Sequence, residues 1–135
     1  MRGTIIVTLV PTALLVTMGL ISGCGGGSGG QSKTARVTTA DRQEAQTLYK
    51  SRCAACHGQF GRGDGPGAAA LDPKPRNYGD AEWQKTVTDE EIEKVIVYGG
   101  TAVGKSAQMV ANPDLQAKPA VVAALREMVR SFGEL

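Results

Sequence analysis

Histidine occurs once in these 135 residues, at position 57, and cysteine three times, at 24, 53 and 56. That scarcity argues against a structural zinc site, which wants a four-coordinate set of thiolate or imidazole ligands. Cys53, Cys56 and His57 make only three, and Cys24 stands far upstream. Aromatic residues are also few, with one tryptophan, two phenylalanines and three tyrosines, and no internal repeat is present. A small domain of this kind has little material for a side-chain core. Neither sign of charge dominates: 15 basic against 13 acidic side chains give a formal net charge of +2. That near-neutrality argues against nucleic acid as a partner. No segment shows the alternation of a strand, and without a βαβ setting a thioredoxin-like dithiol lacks its context.

What is present is Cys53-Ala54-Ala55-Cys56-His57, the pattern of a c-type haem attachment site. Two thiols at this spacing reach the two vinyl groups on one edge of a porphyrin, and the next residue turns its ring under the iron. Cys53 and Cys56 are therefore expected as thioether tethers to one covalent haem c, and His57 as an iron ligand. Zinc and dithiol chemistry are the competing readings of the same residues.

Residues 1–23 begin Met1-Arg2 and continue as an apolar run broken by Pro11, Thr12 and Thr17, which reads as a secretory signal. A retained membrane anchor is the alternative, for which the stretch is marginal in length. Ile21-Ser22-Gly23-Cys24 resembles a bacterial lipoprotein box, and the resemblance implies cleavage before Cys24 and acylation of that residue. Either reading puts the remaining chain outside the cytoplasm and on a membrane. The three cysteines are then two thioethers and one lipid anchor, with none left for a disulfide. Residues 24–40, rich in Gly and Ser at their start, have the composition of a flexible linker. Such a linker has a coil span of roughly 20–25 Å and an extended reach of about 60 Å. It would serve a shuttle or simply be disordered padding.

Residues 41–135 remain for folding. Asp41 and Glu44 mark a helix start, with Ala45, Leu48, Tyr49 and Arg52 at helical spacing into Cys53. Gly58 to Gly67 is too glycine-rich for a regular element and predicts a tight loop. It lacks the Gly-Lys-Ser/Thr ending of a phosphate-binding loop. Pro73 and Pro75 keep the next stretch irregular. Thr88 with Glu91 forms a capping box for a helix whose apolar face is Ile92, Val95 and Ile96 and which stops at Gly99-Gly100. Thr101 to Asp114 has no period and contains Met109. Pro119 opens a last helix with Val122, Leu125, Met128, Val129 and Phe132 on one side.

In this order the features resemble a monohaem class I cytochrome c, over about Asp41 to Phe132. The resemblance implies an all-α, small cytochrome c fold of three to five helices around the attached haem. It implies a small residue and an aromatic ahead of the motif, here Ala45 and Tyr49, and a proline carbonyl that accepts the His57 imidazole N–H, here Pro66. A methionine between the last two helices is the second axial ligand in that family, and Met109 holds the place, with Val110 where proline is common. Met128, or an open sixth position, is the alternative. Met128 itself stands where the family packs an aromatic against the small residue of the first helix. Arg76, Tyr78 and Trp83 lie where such proteins take propionate contacts, although a solvated arginine and packed aromatics would look the same.

His/Met ligation fills both axial positions and favours outer-sphere electron transfer over catalysis. The expected function is a membrane-tethered, periplasmic-side electron carrier between redox proteins, with membrane oxidoreductases as the expected partners, and not an enzyme. Two rivals stand beside it. One is a haem enzyme or gas sensor with an open position; the other is a fixed subunit of an oxidase or reductase complex.

Overall fold

A computed structural model describes residues 36–135. The expected signal of residues 1–23, the expected lipidation site Cys24 and most of the expected linker lie outside the described residues. Five α-helices follow in order: α1 (Thr39–Leu48), α2 (Ala54–His57), α3 (Ala81–Thr86), α4 (Asp89–Tyr98) and α5 (Pro119–Ser131). Short 3-10 turns cover Ala68–Ala70, Gly100–Val103, Pro113–Ala117 and Phe132–Glu134. Among the described residues there is no strand, in keeping with the all-α expectation.

The first helix begins three residues before the expected start. Thr38, not Asp41, is the N-cap: its hydroxyl accepts from the Asp41 N–H at 3.3 Å, and the Asp41 carboxylate accepts from the Thr38 N–H at 2.8 Å. The expected capping box of the penultimate helix is present, with Thr88 and Glu91 bonded reciprocally at 3.0 and 3.1 Å. Gly99 ends that helix at φ +80°. Pro119 occupies the first turn of α5, where its missing N–H costs nothing.

The core forms where α1 and α4 pack on α5. Ala45 is fully buried on α1, and Val121, Val122, Leu125 and Val129 are buried on α5. Met128 is half-buried against this cluster. The aromatic that meets Tyr49 is Phe132, with ring centroids 5.3 Å apart. Exposed ion pairs tie the outer edges of α1 and α5, Arg42 to Glu127 at 3.1 Å and Lys118 to Glu44 at 2.6 Å.

Sequence periodicity did not reveal α3, which has only six residues. Asp80 caps it, accepting from the Glu82 and Trp83 N–H groups at 3.0 and 3.1 Å. It is fastened to α5 by two side chains. Gln84 Nε2 donates to the Tyr78 and Val129 carbonyls at 2.8 and 2.9 Å, and Arg130 donates to Gln84, Val87 and Asp89. This network places Tyr78 and Trp83 beside the attachment motif.

Candidate functional site

Between α1 and α2 the chain makes a π-helical turn, Tyr49–Cys53. Such turns are rare and concentrate at functional sites. Tyr49 is buried at its start and donates its phenol to the Gly58 carbonyl at 2.8 Å. The turn delivers Cys53 at its end and leads directly into α2, which holds Cys56 and His57.

The glycine-rich stretch is a loop, as expected, and folds back over α2. The N–H groups of Gly63, Gly65 and Gly67 donate to the carbonyls of His57, Cys56 and Ala55 at 2.8, 3.1 and 2.8 Å. These are end-of-helix acceptors that need partners from outside the helix. At position 65 any Cβ would collide with the Ala54 and Ala55 carbonyls, so only glycine permits this approach.

The expectation for Pro66 is corrected here. Pro66 lies between Gly65 and Gly67, and both are bonded to residues before His57. The carbonyl beside His57 Nδ1 belongs to Arg76, at 3.3 Å. The segment after the prolines returns to the motif because the Tyr78 N–H donates to the Gly61 carbonyl at 2.7 Å.

A carbonyl only accepts, so Nδ1 carries the proton and Nε2 keeps its lone pair. Burial pushes the His57 pKa down, and the Arg76 hydrogen bond pushes it up less strongly. His57 is 7% exposed, and that burial favours the neutral form a ligand requires. Tyr78 stacks on it, with centroids 4.6 Å apart and planes at 14°. Burial raises the Tyr78 phenol well above its ordinary value. Burial also pushes the Cys53 thiol up to about 11, with Arg52 opposing and Cys56 reinforcing.

Cys56, His57, Arg76, Tyr78, Trp83 and Met109 line one cavity of about 700 Å³. Cys53 lies on a small adjoining cavity that shares Arg52, Tyr78 and Met109 with the large one. Leu71, Ile92, Val95 and Val103 give the large cavity apolar surface, while Arg52, Lys74, Arg76 and Lys105 contribute positive charge. Imidazole, thioether and thiol donors on an apolar surface with basic groups fit an iron porphyrin bearing two propionates. Pro66 does not line either cavity.

Of the propionate candidates, Arg76 pairs with Asp80 at 3.5 Å and lies 5.8 Å over the Trp83 ring. Tyr78 is the most buried of the three, and Trp83 is half-buried.

The Met109 loop is held by residues that sequence reasoning treated only as a helix stop or not at all. The Gly100 N–H donates to the Met109 carbonyl at 2.9 Å, and a Cβ on Gly100 would collide with the Ser106 carbonyl. Asn112 fixes the other end through its N–H to the Val97 carbonyl at 2.9 Å and its Nδ2 to the Ile96 carbonyl at 2.8 Å. The Gly-Gly pair was a readable signal for a close approach; Asn112 had none.

The cytochrome c family model matches residues 43–131. Among solved structures, the KustC0563 c-type cytochrome is similar, with 32% sequence identity and a TM-score of 0.50. That alignment covers 65% of this chain and 95% of the other. No match was found among curated proteins. Since the matched span holds the attachment motif and every element around the cavity, the chain belongs to the cytochrome c family, whose covalent haem c and haem-based electron transfer it shares.

Proposed function

We propose that the protein carries single electrons between redox proteins, through one haem ligated by His57 and Met109. We further infer that lipid on Cys24 tethers it to a membrane on the periplasmic side of the cell envelope. The observation that carries the ligation is that His57 and Met109 line the same cavity, with the Met109 loop bonded at both ends. The tether rests on the Ile21-Ser22-Gly23-Cys24 pattern and the glycine-rich run after it.

When bound, the haem supplies a one-electron couple, and its surroundings set the potential and access. The protein's own residues perform the rest. Cys53 and Cys56 tether; His57, its Nδ1 proton engaged by Arg76, presents Nε2; Met109 offers a thioether that favours the reduced state. With His57 and Met109 both holding the iron, no coordination position would remain for a substrate, which favours carriage over catalysis or gas sensing. Arg76, Tyr78 and Trp83 are the candidates for the propionates. The partners are redox proteins, with membrane oxidoreductases favoured by the tether.

The test starts from native protein extracted from membranes with detergent. The oxidised form is expected to show the weak far-red band of thioether-ligated ferric haem, and Met109→Ala to lose it. The reduced wild type is expected to resist carbon monoxide. Ready binding of carbon monoxide would sink the six-coordinate carrier, recovery in the soluble fraction would sink the tether, and stoichiometric co-purification with an oxidoreductase would make the protein a fixed subunit.

A further inference from the structure

We propose that Arg52 is a positioning residue for Met109, acting through Asn112 and Asp114. The proposal rests on the reading of Met109 as an iron ligand. Arg52 immediately precedes Cys53. Its Nη1 lies 3.0 Å from both Asp114 carboxylate oxygens and 3.3 Å from Asn112 Oδ1.

The bonds from Asn112 to Ile96 and Val97 refer the end of the Met109 loop to α4. None of them refers it to the haem attachment motif. Among the described residues, Arg52 makes the only side-chain hydrogen bonds joining residues 49–58 to the stretch 99–114. Met109 lies three residues before Asn112, so the Arg52 contacts fix the distance between the segment that tethers the haem and the segment that offers the thioether.

Arg52 and Asp114 side chains are 42% and 50% exposed. A pair of that kind shifts an equilibrium by only about two- to fivefold. Its consequence is local, falling on the competition between Met109 and any other ligand for the sixth position. Loss of the tie leaves the haem attached and the fold intact, and lets the loop swing away more often.

The experiment titrates ferric holoprotein with imidazole and follows the far-red band. Arg52→Gln and Asp114→Ala are each expected to raise imidazole affinity about two- to fivefold, and the double variant no further than the stronger single one. Glu127→Gln breaks the comparably exposed Arg42 pair between α1 and α5, and is expected to leave imidazole affinity unchanged. Asp114→Glu, which keeps the charge, is expected to hold wild-type affinity. Wild-type titration by Arg52→Gln and Asp114→Ala, or an equal shift in Glu127→Gln, would overturn the proposal while leaving Met109 as ligand. Absence of the far-red band from the wild type would overturn both.

Discussion

At the residue scale, Tyr78 separates two roles that its sequence position leaves confounded. A tyrosine near the propionates suggests its phenol as the active part, whereas the structure lays its ring flat on His57 and buries it to 8% exposure. The two roles respond to different substitutions. Tyr78→Phe keeps the ring and is expected to leave the electron paramagnetic resonance g-values of the ferric haem unchanged, because those report the plane of the imidazole. Tyr78→Leu removes the stack, costs about 0.5–1.5 kcal/mol of aromatic pairing, and is expected to shift the g-values. A shift in Tyr78→Phe as large as in Tyr78→Leu would return the phenol to first place. The acceptor for His57 shows why some of the site was hidden. Side chains announce themselves in a sequence, but the group beside Nδ1 is a main-chain carbonyl, and every residue has one. Proline at a familiar spacing therefore pointed to Pro66, whereas loop closure through Gly61 and Tyr78 selected Arg76.

At the scale of elements, the Gly99-Gly100 pair has two functions, ending α4 and letting the Met109 loop approach. Gly100→Ala forces a Cβ into the Ser106 carbonyl. Since Gly100 lies just beyond α4, the variant is expected to keep wild-type helicity by far-ultraviolet circular dichroism while losing most of the far-red absorbance. Equal loss of both signals would mean that the pair serves the fold and not the ligand loop. Legibility of the elements follows their physics. The α4 helix was readable at both ends because its cap, apolar period and terminating glycine are all local. The start of α1 was misplaced by three residues because Thr38/Asp41 and Asp41/Glu44 offer overlapping boxes, and only the backbone decides between them. The α3 helix is too short to show a period, and its place depends on Gln84 and Arg130, which meet only in the fold. Cys53, Cys56, His57 and Met109 could be picked out of the sequence as candidates by their chemistry; the contacts that hold their surroundings, through Arg52, Asn112 and the Arg76 carbonyl, could not, because each joins groups distant in sequence.

At the scale of the whole molecule, the scarcity of large apolar side chains and the size of the cavity have the same consequence. None of the described large side chains is completely buried, and several of the buried positions are alanine. The cavity of about 700 Å³ lies beside the side-chain core and draws Ile92, Val95, Val103 and Leu71 into its lining. Without haem, water entering through the mouth would hydrate the exposed faces of Val95 and Leu71. A typical small domain has only about 5–15 kcal/mol of stability, so the apolar surface that haem would cover is a large fraction of what holds the fold together. The helices also lack compensating local strength: α1 and α4 have ten residues each, below the roughly 12–15 at which isolated helices become even marginal in water. A ligand that binds only the folded chain stabilises that state, and a covalent ligand does so without dissociating. The chain produced in a haem-deficient host is therefore expected to show weak helicity by circular dichroism and no cooperative thermal transition, while the holoprotein melts in one step. A cooperative transition in the haem-free chain, with holoprotein-like helicity, would show instead that α1, α4 and α5 suffice as a core and that haem attachment follows folding.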